Sequence, residues 1–395
     1  MSFTTGARTA PHILTLVLLS GLGALSMNVF LPSLPGMARD FGVDYALMQL
    51  SVTSYLAASA LVQLAAGPIS DRYGRRPVML AGLGLFLAAT LGTLLAPTAQ
   101  WFLAFRMAQA AVATCLVLSR AVVRDTVEGP AAASRIGYVT MGMSVIPMMA
   151  PVLGGILDET FGWRANFSLL LIAGGAAFVL AWVDLGETGK GGLPMRAQLR
   201  GYPVLARSLP FWGYALSATF TSGTFFAYLG GAPFVGETVF GLGPVEVGYW
   251  FMAPSIGYLA GNFLSGRYAA RIGMDRMIVA GSILSLVAIG VAALADLAGA
   301  IRPAVFFGAV ALTGAGNGIV LPSANAGMMS VRPELAGTAS GLGGAMAVAG
   351  GAALAALAGV FLVPGAGALP LLLIMALSAA VALAAAIALR GAPAR

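Results

Sequence analysis

Apolar residues gather in blocks of about 20, the length that crosses a bilayer as a helix, with short polar or Gly/Pro-rich breaks between them. Twelve blocks are found. The first six lie near His12–Leu34, Leu47–Ile69, Pro77–Ala96, Trp101–Val123, Arg135–Leu157 and Arg164–Leu185. The second six lie near Leu209–Val235, Val245–Gly266, Met277–Asp296, Pro303–Met328, Ala336–Val363 and Ala368–Leu389. The longest polar segment, Gly186 to Ser208, divides six from six. The pattern predicts an all-α polytopic membrane protein: bundle 1–185, a cytoplasmic linker 186–208 with a short surface helix, and bundle 209–395.

Composition agrees with that pattern. The 395 residues are 59% hydrophobic and 9% charged, against about 25% charged in soluble domains. Fifty-three glycines and 21 prolines would look like disorder in water, but both are frequent in membrane helices. Cys115, the one cysteine, sits in an apolar run and reads as a buried inert thiol. Met1 to Pro11 is short and polar, so the apolar run after it reads as an uncleaved first helix.

The charges fix the orientation. With the N-terminus in the cytoplasm, 17 of the 21 Lys and Arg fall inside, Arg120 and Arg124 among them. Only Arg39, Arg164 and Arg302 fall outside, and Arg106 lies within the fourth block. Such asymmetry places both termini in the cytoplasm. It also accounts for the net charge of +7 without a nucleic-acid partner, because no basic strip interleaves with aromatics.

Between the second and third blocks lies the stretch Gly67 to Leu80, GPISDRYGRRPVML. A polar hairpin between apolar helices belongs at a membrane surface. Its Arg72, Gly74, Ala81 and Gly82 recur 199 positions later as Arg271, Gly273, Ala280 and Gly281, while Asp71 corresponds to Ala270. A repeat at half-chain spacing is expected of a two-bundle transporter whose site lies at the repeat interface near mid-membrane.

With Gly67, Asp71, Arg72, Gly74, Arg75, Arg76 and Leu80 in place, the hairpin resembles the loop between helices 2 and 3 of the major facilitator superfamily. Arg106 and Gln109 resemble that family's Arg-x-x-Gln-Gly motif, with Ala110 in place of the glycine. Ala150, Pro151, Gly154 and Gly155 are similar to the motif that marks its exporters. The end of the first helix (SMNVFLPSLP), the end of the seventh (APFVGETVFGL) and AGTASGLGG near the eleventh extend the likeness to the bicyclomycin, chloramphenicol and florfenicol resistance exporters. The resemblance implies two pseudo-symmetric six-helix bundles and drug:proton antiport. It also implies that Asp71 meets the start of helix 11 and that Arg75 pairs with Asp125, a cluster that latches the bundles and releases as they rock. Free N–H groups at a helix N-terminus favour such an anion.

Where that branch carries aspartate in the first helix, this chain has Asn28, and none of its 14 acids lies at a helix centre. Glu237, just past the seventh helix, is then the candidate proton carrier. Arg106, the charge inside a helix, is expected to face the central cavity, since a charge at that depth costs about 2.5–3.5 kcal/mol and faces a partner or water. Ser217, Thr221, Thr224 and Tyr228 share one stripe of helix 7, and Thr313, Asn317 and Ala324 share one of helix 10. Such stripes line a cavity or bond helix to helix. Phe220, Phe225, Phe226, Met141 and Met148 offer adaptable apolar walls. The expected cavity residues are therefore Asn28, Arg106, Thr221, Thr224, Phe225, Tyr228 and Asn317. Keeping Arg106 and lacking a deep acid, the cavity suits neutral or weakly anionic amphiphiles such as phenicols.

No catalytic residue, cofactor or metal is expected. His12 is the one histidine, and the chain has neither a zinc H-E-x-x-H pair nor a phosphate-binding G-x-x-x-x-G-K-[ST] loop. The reading is a monomeric inner-membrane exporter, with a small molecule, protons and the bilayer as partners. A transporter of a natural metabolite such as a sugar or siderophore is the alternative, and a non-transporting receptor or scaffold the third reading.

Overall fold

In the lipid core no water is available to bond a free backbone, so each apolar block satisfies its N–H and C=O groups within a helix. A computed structural model describes residues 11–126, 130–189, 202–332, 335–363 and 365–391, and among these no strand occurs. Arg8, Lys190, Arg196, Arg200 and Arg395, expected to set topology, lie outside the described residues, as do the side chains of Arg124, Arg135, Met141 and Arg390.

Ile13–Asn28 and Leu34–Phe41, joined by a 3₁₀ turn at Leu31–Ser33, form α1. Then follow α2 (Tyr45–Tyr73) and α3 (Arg75–Leu94). Ala99–Gln109 and Ala113–Thr126, joined by a 3₁₀ turn at Ala110–Val112, form α4. Pro130–Phe161 is α5 and Arg164–Asp184 is α6. Past the short helix Tyr202–Ala206 come α7 (Leu209–Thr238), the short helix Pro244–Trp250, α8 (Met252–Ile272) and α9 (Met274–Leu297). The last three are α10 (Pro303–Val331), α11 (Ala336–Phe361) and α12 (Leu369–Gly391). Among the described residues nine helices are long and apolar enough to cross a membrane. The other three crossings are α5, α7 and α8. In α7 the reason is plain: Ser217, Thr219, Thr221 and Thr224 lower its hydropathy, and all four are buried against protein.

Of the boundaries that differ from the sequence reading, two have a clear local reason. The first crossing continues past Leu34 to Phe41 because Pro32 and Pro35 occupy first-turn positions of their helical pieces, where a missing N–H costs nothing. It ends at Gly42, whose φ of 63° is left-handed. The polar hairpin is far tighter than expected. Helix α2 runs to Tyr73, Gly74 alone makes the turn, and α3 begins at Arg75. Gly273 does the same between α8 and α9. Their φ/ψ values, 99/153° and 91/146°, show the 199-residue echo in the backbone itself.

The alternation of crossings puts Gly74, Thr126, Asp184, Gly273 and Val331 at one face, called the hairpin face, and Phe41, Phe161, Thr238 and Phe361 at the opposite one. Small residues set the packing distance. Gly257 and Gly261 of α8 lie so close to Ala311 and Ala315 of α10 that a Cβ on either would overlap their carbonyls. Toward the opposite face each half packs an aromatic cluster, Phe30, Phe102, Trp163 and Phe167 in one, Tyr228, Phe251, Phe306 and Phe307 in the other.

Candidate functional site

The halves leave a cavity of about 330 Å³ between them. Arg120 and Pro147 line it from the amino half, and Ser222, Phe225, Phe226, Ser255, Tyr258 and Asn317 from the carboxy half. Asn317 is the middle residue of α10, so the cavity reaches mid-membrane. Of the residues expected there, Phe225, Phe226 and Asn317 are on the wall. Thr224 stands behind it, donating to the Thr221 carbonyl at 2.7 Å with its hydroxyl 3.4 Å from Asn317 Nδ2. Thr221 is buried in the packing. Tyr228 is fully buried among Phe225, Phe251 and Phe307. Neither Phe220 nor Met148 is on the wall.

Arg106 is not on the cavity wall either, contrary to expectation. Its guanidinium is wholly buried in the amino half, held between the rings of Phe30 and Tyr55 at 4.4 and 4.0 Å. Nη1 donates to Ser26 Oγ (3.0 Å) and Gln109 Oε1 (2.7 Å), and Nη2 to the Ser26 carbonyl (2.8 Å). Gln109 in turn donates to Thr90 Oγ1 at 2.8 Å. No carboxylate among the described residues pairs with Arg106. Rings and carbonyls carry the charge instead, which ties α4 to α1, α2 and α3. Asn28 is also buried, its amide donating to the Ala24 carbonyl at 2.7 Å.

Sequence reasoning missed Arg120, which it counted as a topology charge, and Ser222, Ser255 and Tyr258. No signal distinguished the last two, because α8 was read only as a span.

At the hairpin face Arg75 lies between two acids. Its Nε is 3.0 Å from Asp125 Oδ2 and its Nη1 2.6 Å from Asp71 Oδ1, and it also donates to Ser70 Oγ. Glu187 was not anticipated. Its carboxylate accepts from the backbone N–H of Arg75 (2.9 Å), Arg76 (3.3 Å) and Gly189 (2.8 Å), capping α3. Gly74 needs to be glycine twice over, for its positive φ and because a Cβ would overlap Glu187. Arg76 reaches the Trp182 carbonyl at 2.8 Å, Arg72 stacks on Tyr73, and Gly67 has open space around it.

Toward the opposite face the halves are joined. Tyr45 donates to the Gly230 carbonyl at 2.6 Å, Gln49 to the Ala355 carbonyl at 2.7 Å, and Val245 N–H to Glu159 at 3.1 Å. Arg39 pairs with Glu237, which sets Glu237 in this seam and away from the cavity. Pro151 and Gly155 serve the same seam, while Gly154 packs α5 on α1 within the amino half. A Cβ on Gly154 would overlap the Val29 carbonyl, one on Gly155 the Pro244 carbonyl, and Gly248 is pressed against the Pro151 carbonyl.

The family model described as Major Facilitator Superfamily matches residues 16–356. The chain belongs to that superfamily. It is 29% identical over 350 residues to a bicyclomycin resistance protein homolog of Haemophilus influenzae, covering 85% of this chain and 86% of that one. It is 30% identical over 342 residues to multidrug resistance protein D of Escherichia coli, covering 86% of each. A chloramphenicol resistance protein of Pseudomonas aeruginosa is 36% identical over 217 residues, 54% of this chain and 51% of that one. Among solved structures, a D-xylose-proton symporter superposes with a TM-score of 0.77 at 14% identity, over 95% of this chain and 96% of that chain. This major facilitator protein is thus a twelve-helix, multi-pass membrane transporter, and not an enzyme.

Proposed function

We propose that this transporter exports small amphiphilic drugs, phenicol-like or bicyclomycin-like, across the inner membrane in exchange for protons. The observation that carries the reading is the mid-membrane cavity between the halves, backed by the Tyr45–Gly230 and Gln49–Ala355 seam. Taking the arginine-rich hairpin face as cytoplasmic, the cavity is reached from the cytosol and shut from outside, the state in which an exporter loads. The relatives named for bicyclomycin, chloramphenicol and multidrug resistance support the cargo class.

Transport then consists of two bodies, 1–185 and 209–395, rocking about the cavity within a single chain. The seam at the outer face opens as the cytoplasmic face closes, and the Asp71–Arg75–Asp125 cluster holds that second state. With no phosphate-binding loop in the sequence, the drive is an ion gradient, and we assign it to protons. Glu237, paired with Arg39 in the outer seam, serves as a gate residue rather than a carrier.

Inverted vesicles holding the full chain test the reading. An imposed pH gradient, acid inside, should drive chloramphenicol uptake above that of empty vesicles. Uptake that ignores the gradient in wild type and responds only in Asn28→Asp would remove proton coupling, and no uptake at all would remove drug export.

A further inference from the structure

Asn317, at the middle of α10, is only 4% exposed, yet it lines the cavity. Its place is fixed by what stands on either side. Gly314 and Gly318 lie so close to the Pro254 and Tyr258 carbonyls of α8 that a Cβ on either would overlap them. Gly316 is pressed in the same way against the Gly281 carbonyl of α9. Backbone thus clamps α10 on two faces, and Asn317 stands on a third, beside Thr224 of α7. A side chain on so closely packed a helix is held in place for a ligand. Its amide is poorly satisfied there. Nδ2 and Oδ1 lie 3.4 and 3.5 Å from the Thr224 hydroxyl, against about 2.7–3.2 Å for a normal N–H···O bond and about 2.5–3.0 Å for O–H···O. The one proton of that hydroxyl already goes to the Thr221 carbonyl at 2.7 Å, so Oδ1 gains no donor from it. Among the described residues the amide has no other hydrogen-bonding partner. Turning the amide over exchanges two long contacts and mends neither.

A buried amide in that state is costly, and a ligand in the cavity that completes it recovers the cost. An alcohol suits the task, because one hydroxyl can donate to Oδ1 or accept from Nδ2. An ammonium only donates, and an ester or ether oxygen only accepts. The rings of Phe225, Phe226 and Tyr258 line the same space and offer faces for a flat aromatic body. We propose that Asn317 is a specificity-determining residue of this cavity, hydrogen-bonding an alcohol of the cargo. The transporter then favours aromatic amphiphiles with a free hydroxyl over close analogues without one. The proposal rests on the cavity being the drug site, and it narrows the cargo from amphiphiles at large to neutral aromatic compounds that carry an alcohol.

Binding to the purified full-length protein tests it, with thiamphenicol and florfenicol as probes. The two drugs differ only in the terminal alcohol, which florfenicol replaces with fluorine, an atom that cannot donate. Wild type should bind thiamphenicol about fivefold more tightly, as one neutral hydrogen bond predicts. Equal binding of the pair overturns the proposal without any variant. Asn317→Leu keeps the bulk and removes the amide. It should weaken thiamphenicol about fivefold, leave florfenicol nearly unmoved and so bring the ratio close to one. Should Asn317→Leu bind neither drug, Asn317→Ala supplies the same ratio, since it removes the amide without adding an apolar branch. An asparagine that only ties α10 to α7 would change both affinities together and leave the ratio fixed, which also overturns the proposal. If wild type binds neither probe, the drug-export reading falls and takes this one with it. If it binds both but is blind to the alcohol, only the present proposal falls.

Discussion

Gln49 of α2 crosses between the halves and donates to the carbonyl of Ala355 on α11 at 2.7 Å, with its side chain wedged between Gly230 and Gly359. Any Cβ at either glycine would overlap the amide. This part of the seam therefore depends on a buried amide fitting a slot that two glycines leave open. Loss of a buried hydrogen bond costs about 1 kcal/mol, which shifts a two-state balance about fivefold. Gln49→Ala should populate the outward-open form by that factor, read as faster labelling of a cysteine placed at Ala355 by an impermeant maleimide from outside. An unchanged labelling rate would mean that the amide does not hold the seam.

Arg75 and Asp125 are 12% and 19% exposed at a 3.0 Å contact, dry enough that removing one partner leaves a costly lone charge. Arg75→Asp alone and Asp125→Arg alone should each cut export about tenfold or more. The double reversal should recover a substantial part, although Asp71, which also contacts Arg75, would then face a carboxylate and keep recovery incomplete. Efflux of chloramphenicol from cells with matched expression measures all three. Absence of any rescue in the double variant would count against the pair.

Much of this architecture was legible in the sequence, because hydropathy blocks and a 199-residue echo are properties of the chain itself. Gly74 and Gly273 show it best, since residues matched only by spacing prove to make the same turn. What the sequence hid was facing. In helices apolar all round, periodicity does not say which side meets the partner bundle, so Ser255 and Tyr258 gave no sign of the cavity they line. Arg106 was expected on the cavity wall, and Arg120 only among the topology charges, for a related reason. Depth alone implied a cavity for Arg106, yet Phe30, Tyr55 and the Ser26 carbonyl absorb its charge where no solvent reaches.

That burial gives Arg106 a sharp expectation. Its two nitrogens satisfy Ser26 and Gln109 at once while the planar group lies between two rings. A lysine ammonium reproduces neither the fork nor the stacking. Arg106→Ala and Arg106→Lys should both abolish export while the protein still reaches the membrane, and both should lower the melting temperature in detergent by several degrees, about 2–4 °C per kcal/mol lost. Normal export by Arg106→Ala would show that the network is dispensable.

Glu187 supplies the last expectation, because it comes from the segment after α6 and yet governs the turn between α2 and α3. Its two oxygens collect the N–H groups of Arg75 and Arg76 at the start of α3, where free donors and the helix dipole both favour an anion. Three residues earlier, Asp184 does the same for α1, accepting from His12 N–H at 2.8 Å and Thr15 Oγ1 at 2.7 Å. The end of α6 thus pins two other helices of its bundle by their N-termini. Glu187→Ala leaves those donors without their carboxylate and should cost about 1 kcal/mol, while Glu187→Gln keeps an acceptor and should cost less. The effect belongs on the hairpin: amide exchange at Arg75 and Arg76 should quicken about fivefold in Glu187→Ala, with exchange at α12 unmoved. Equal quickening at both places would mean global loosening, and the cap would then have no special hold on the turn.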